Sequence, residues 1–160
     1  MLSITVFLMK RGEKMDISVK KLDELSSLEF FEMVKKRIEV FVVEQNCPYQ
    51  EVDDEDVAAH HVILKEKNDI AAYARIMEKE SYIKLGRVLV TKAFRGQGLG
   101  YTILKQSLKV IQEIYPGEEI HLSAQAHLVG FYGSQGFKVM SDVYLEDDIP
   151  HVDMVLTIEK

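Results

Sequence analysis

Arg95-Gly96-Gln97-Gly98-Leu99-Gly100 is a glycine-rich turn between a β-like run, Tyr82 to Thr91, and an apolar-periodic stretch, Leu99 to Ile114, that reads as a helix. A turn feeding a helix N-terminus leaves backbone N–H groups without intrahelical partners, at the positive end of the helix dipole. Phosphate oxygens suit such a site. The missing side chains at Gly96, Gly98 and Gly100 let a ligand approach the main chain. The chemistry implied is capture of a phosphorylated cofactor.

Residue identities separate the possible cofactors. A triphosphate loop ends in Gly-Lys-Ser/Thr, but Gly100 is followed by Tyr101-Thr102. A dinucleotide fingerprint, G-x-G-x-x-G, needs a third glycine where Tyr101 or Ile103 stands. The plain structural alternative is a tight strand-to-helix turn with no ligand.

Arg95, Gly98 and Gly100 also form Arg-x-x-Gly-x-Gly, which resembles the pyrophosphate signature of the GNAT N-acetyltransferases, users of acetyl-CoA. A second segment, Gln125 to Phe137, resembles that family's later motif: a polar residue opens a short helix carrying Phe131-Tyr132 and ending at Gly136-Phe137. Arg37 to Gln45, Tyr49 to Asp56 and Glu146 to His151 are similar to the ElaA-like subgroup. The similarity spans roughly residues 16 to 158, with the elements in the family's order.

The resemblance implies that Arg95, Gly96, Gln97, Gly98, Leu99 and Gly100 bind the pyrophosphate of coenzyme A. It implies that pantetheine runs along Val88, Leu89 and Val90, with an N–H near Val90 polarising the thioester carbonyl. Gln125 stands where the family more often has asparagine, and its amide can still serve the pantetheine amides. Tyr132 would protonate the departing thiolate, since a phenol is protonated at neutral pH. The plain alternatives are sheet core for Val88 and Val90, and a half-buried helix tyrosine for Tyr132.

An alkylammonium must lose a proton before it attacks a thioester. Glu44, Glu51, Asp53, His61 and His151 are the candidate bases, with Glu44 expected to reach the cleft from the end of its helix. Glu51, Asp53, His61, Arg75, Arg87 and His151 are the candidate acceptor-binding residues. The acidic run Glu51 to Asp56 could recruit a cationic amine or be a solvated loop. Arg75 and Arg87 lie in apolar strands, where a charge needs a partner. They would either pair with Glu44 or Asp53 or anchor an anionic substrate group. His60 and His61, adjacent in a strand, point to opposite faces, which argues against a shared metal.

These residues must be positioned by a fold that composition can support. The 160 residues are 47% hydrophobic with a net charge of −6, which fits one globular domain and argues against a basic nucleic-acid-binding face. Residues 1–14 read as an N-terminal extension or an extra edge strand, and 15–160 as a single transferase domain. The apolar run Met1 to Met9 is too short to span a bilayer, and its basic residues follow it instead of preceding it. The single cysteine, Cys47, forms no intramolecular disulfide or Cys-based zinc site, which suits a reducing cytoplasm. No metal is expected.

Ser26-Ser27-Leu28-Glu29 is a capping box opening a helix with an apolar stripe at Phe30, Phe31, Val34, Ile38, Phe41 and Val42. Strands are expected at Asp16–Lys20, Val62–Leu64, Ala71–Met77, Tyr82–Thr91, Glu119–Ser123, Phe137–Tyr144 and Val152–Ile158. The expected order is β-α-β-β-β-α-β-α-β-β, an α/β (α+β) fold whose central sheet, by the resemblance, is mixed, mostly antiparallel and flanked by helices. The resulting expectation is an acetyl-CoA-dependent N-acetyltransferase acting on a small-molecule or peptide amine by direct attack, possible as a homodimer. Its rivals are a CoA-binding sensor or interaction module without turnover, and a nucleotide-binding regulator.

Overall fold

The computed structural model describes residues 6–10 and 13–159. Among these, nine strands form one sheet. Its path runs β1 (Val6–Lys10), β2 (Glu13–Lys20), β3 (His60–Glu66), β4 (Asp69–Glu78), β5 (Ile83–Val90), β6 (Ile120–Gln125), β9 (Ile149–Leu156) and β7 (Lys138–Val139). Strand β8 (Tyr144–Glu146) also pairs with β9. β1 lies antiparallel to β2, so the described part of residues 1–10 extends the sheet edge.

Every pairing is antiparallel except β5 with β6. Between them runs α3 (Leu99–Ile114), the helical crossover that a parallel pair requires. This parallel contact is brief: Ile83 pairs with Ile120 and Lys84 with His121, and the register goes no further. Beyond those residues both strands line one open cleft. β5 also carries a bulge, because Arg75 faces Gly86 while Tyr73 faces Leu89. Arg87 sits in that bulge at φ +51° and its side chain is re-aimed accordingly.

Alternation in the strands feeds two apolar layers. Val62, Leu64, Leu85 and Leu122 pack with Ile103, Leu104 and Ile111 of α3. Ile63, Tyr73 and Leu89 pack on the opposite face against α1 (Ser27–Ile38) and the π-helical turn Glu39–Glu44 that prolongs it. The capping box forms as the sequence predicts: Glu29 N–H donates to Ser26 Oγ at 3.1 Å, and Ser26 N–H to Glu29 Oε1 at 3.3 Å.

The apolar stripe on α1 needs correction. The buried residues are Met33, Arg37 and, in the π turn, Val40, whereas Phe31 is 57% exposed. A charged side chain on the buried face displaced the expected phase. The stretch expected as a loop holds a short helix, α2 (Glu55–Ala58). The expected strand Phe137–Tyr144 divides into β7 and β8, since Ser141 Oγ takes the Asp153 N–H. Asp147 and Asp148 turn the chain from β8 to β9, both at positive φ. No helix among the described residues is long and apolar enough to cross a membrane.

Candidate active site

The divergence of β5 and β6 opens a cleft of about 320 Å³ on the α1 side of the sheet. Arg75 and Arg87 line one wall, Gln125 and His151 the other, and Tyr132 also borders it. Cys47 and Tyr49, from the segment between α1 and α2, line it as well.

At the start of α3, Gly98 is the N-cap with φ 74°, and Gly96 has φ 79°. A Cβ at Gly96 would touch nothing within 4 Å, so backbone conformation and not space calls for glycine there. Leu99, 2% exposed, anchors the turn in the core. Arg95 Nε donates to Val90 O at 3.0 Å, tying the loop to the end of β5, and its Nη2 donates to Glu44 Oε2 at 2.6 Å. Val88 and Val90 pack partly on the core below α3, while Leu89 is buried on the opposite face. The loop thus fits an anionic group, and β5 leads from it into the cleft.

Tyr132 sits on α4 (Val129–Gly133), 7% exposed. Burial pushes its hydroxyl pKa up to about 12. That hydroxyl has no hydrogen-bond partner among the described residues. Gln125, ending β6, donates from Nε2 to Gln45 Oε1 at 3.2 Å, bridging to the segment that follows the π turn.

Beneath the cleft lies a buried ionic network. Arg37 is fully buried; its Nε donates to Glu51 Oε1 at 2.7 Å and its Nη1 to Asp56 Oδ1 at 2.7 Å. Nη2 adds bonds to Asp56 Oδ2 and to the Glu51 carbonyl, both at 3.1 Å. Arg75 Nη1 bridges Asp53 at 2.7 Å and Asp56 at 3.0 Å. Arg87 Nε reaches Glu51 Oε1 at 3.1 Å. Burial alone would raise the Asp56 pKa, but its bonds to Arg37 and Arg75 hold it down at about 2.

His151 lies on β9 opposite Gln125 on one side and Tyr144 on the other. Its Nδ1 is 2.7 Å from Ile149 O, and a carbonyl can only accept, so Nδ1 carries a proton. In the neutral ring the lone pair is then on Nε2. Glu146 Oε2 stands 3.4 Å from Nε2, a counter-charge for the imidazolium formed on proton uptake.

Of the residues singled out in the sequence, the structure brings Val88, Arg75, Arg87, Asp53, Gln125, Tyr132 and His151 to the cleft. It does not bring His61, which is fully buried between Tyr73 Oη at 2.6 Å and Asp56 O at 2.9 Å. Alternation along β3 turns that ring toward α1, and its pKa is lowered by burial. Glu51 is also buried, locked between Arg37 and Arg87. Glu44 is engaged by Arg95 at the phosphate loop and does not line the cleft. Arg75 and Arg87 do pair with Asp53, but not with Glu44. Arg37, Asp56 and Tyr73 were not foreseen. The available signal was an arginine at the i+4 position between Met33 and Val40.

Comparison with known proteins shows the family and the fold. The Acetyltransferase (GNAT) domain family matches residues 27–158. Protein ElaA of Escherichia coli strain K12 is 38% identical over 136 residues, covering 82% of this chain and 89% of that protein. The crystal structure of an acyl-CoA N-acyltransferase from Pseudomonas aeruginosa superposes with a TM-score of 0.85 at 40% identity, covering 88% of this chain and 98% of that one. The crystal structure of Escherichia coli ElaA superposes with a TM-score of 0.84 at 35% identity, over 88% and 98% of the two chains.

Proposed function

Because the chain belongs to the GNAT acetyltransferase family, we propose that it transfers an acetyl group from acetyl-CoA to a primary amine by direct attack in a ternary complex. The observation that carries this reading is the β5–β6 cleft. β5 leads to it from the glycine loop at the start of α3, and it is bordered by an unpartnered tyrosine hydroxyl and an imidazole with a free lone pair.

Backbone N–H groups of Gly96 to Gly100, with Arg95, would hold the pyrophosphate, and β5 around Val88 to Val90 the pantetheine. Gln125 would bond a pantetheine amide. Acetyl-CoA, once bound, supplies the thioester. His151 Nε2 takes the proton of the attacking amine, and Tyr132 gives its proton to the sulfur as the carbon–nitrogen bond forms and the carbon–sulfur bond breaks. A hydroxyl pKa of about 12 keeps Tyr132 protonated at neutral pH, as a donor must be.

Thiol release from acetyl-CoA across a panel of amines tests this reading, with wild type set against Tyr132→Phe. Loss of the acid should lower kcat by about 100-fold or more while CoA binding persists. Tight CoA binding without thiol release on any amine would instead support a binding module.

A further inference from the structure

We propose that the acceptor is an amine that also carries a carboxylate, an amino-acid-like molecule, and that Arg87 holds that carboxylate. This rests on the transferase reading above. Arg87 commits Nε to Glu51 Oε1 at 3.1 Å and Nη2 to the Glu51 carbonyl at 3.0 Å. Its Nη1 has no partner among the described residues, although the side chain lines the cleft and is 21% exposed.

The guanidinium is held ready. Its carboxylate partner Glu51 is itself fixed by Arg37 at 2.7 Å, and the Arg87 guanidinium carbon lies 5.3 Å from the centre of the Tyr49 ring. The bulge keeps Arg87 at φ +51°, a conformation that a bulky residue adopts only where its surroundings dictate it. Little ordering therefore remains for a ligand to impose. The N–H groups of Arg87 Nη1 are its spare donors, and a carboxylate oxygen makes a strong, charge-assisted bond to such a donor.

Two neighbours agree. Arg75, 4% exposed, lines the same wall, and its Nε is buried without a partner. Asp53 Oδ2 stands 3.4 Å from Arg87 Nη2, so opposite charges are presented side by side, as an ammonium and carboxylate on one small molecule require. The donor offers no rival explanation, because the loop at 95–100 serves the CoA pyrophosphate at the start of α3. Arg37, Arg75 and Arg87 are matched in charge by Glu51, Asp53 and Asp56, so what the network leaves to a ligand is the open donor Arg87 Nη1 and not a surplus of charge.

The test compares thiol release from acetyl-CoA for α-amino acids, their carboxamides and the corresponding decarboxylated amines, using wild type, Arg87→Lys and Arg87→Gln. Wild type should favour the carboxylate-bearing member by about 100-fold or more in kcat/KM, the scale of a site built to bond a group the analogue lacks. Arg87→Gln should bring that ratio close to one through KM, with Arg87→Lys between. Equal wild-type turnover of amino acid and carboxamide overturns the proposal, as does an Arg87→Gln loss that falls equally on both. If Arg87→Gln does not fold, the wild-type ratio alone decides. No thiol release from any amine, with CoA still bound, overturns the transferase reading and the acceptor assignment with it.

Discussion

Arg95 Nη2 lies 2.6 Å from Glu44 Oε2, so the arginine of the phosphate loop is engaged by the carboxylate that the sequence offered as a catalytic base. The pair is partly exposed, Arg95 at 44% and Glu44 at 27%. In the proposed complex, CoA phosphate would compete with Glu44 for that guanidinium. Glu44→Gln should therefore tighten CoA binding by about two- to fivefold, the worth of one exposed ion pair. Its kcat should stay within about threefold of wild type, because Glu44 is not among the cleft residues. Calorimetry with CoA and a saturating thiol-release assay measure both, and a 100-fold fall in kcat would return Glu44 to the role of base.

The buried network makes stability depend on single charges. Arg37 bonds both Glu51 and Asp56 with no exposure of its own. Arg37→Met leaves those carboxylates buried with fewer partners and should cost about 3–5 kcal/mol. Urea unfolding should show a lower midpoint at unchanged slope. A variant as stable as wild type would mean that the carboxylates find water or other donors.

Acid sensitivity follows from Asp56. Its carboxyl titrates near 3.8 when unperturbed and at about 2 in the fold. A depressed folded value contributes stability that is full above the unfolded value and is lost as pH falls toward the folded one. The loss should therefore run from about pH 4 down to about pH 2 and amount to about 2 kcal/mol. Unfolding free energies of wild type across that window should fall more steeply than those of Asp56→Asn. Parallel slopes would place the acid sensitivity elsewhere.

What was legible in the sequence was the part written in local pattern. The capping box at Ser26, the glycine turn before Leu99 and the alternation in the strands depend on neighbours within a few residues, and they form as read. The phase of α1 was not legible, because Arg37 is buried only when Glu51, Asp56 and Tyr73 converge on it from three other segments. The placement of Glu44 and His61 away from the cleft was not legible for the same reason. A carboxylate or imidazole is a candidate base by type, but the distant Arg95 and Tyr73 decide whether it is available. His151, one of five candidates by sequence, stands apart only once the Ile149 carbonyl fixes its tautomer.

That tautomer yields the sharpest kinetic expectation. Nδ1–H donates to Ile149 O, so proton uptake can occur only at Nε2, and a protonated Nε2 cannot accept from an amine. His151→Gln should therefore lower kcat by about 100-fold while acetyl-CoA binding persists. The groups facing the ring must be separated from it: Glu146 at 3.4 Å and Tyr144, stacked at 6.2 Å, come from β8, while uncharged Gln125 lies opposite on β6. Glu146→Gln removes the carboxylate beside Nε2 and should keep most of the rate, since the imidazole itself is retained. Rates for the three proteins at saturating acetyl-CoA distinguish the roles. A His151→Gln rate within about threefold of wild type would assign the proton to another group, with Asp53 the next carboxylate on the cleft wall.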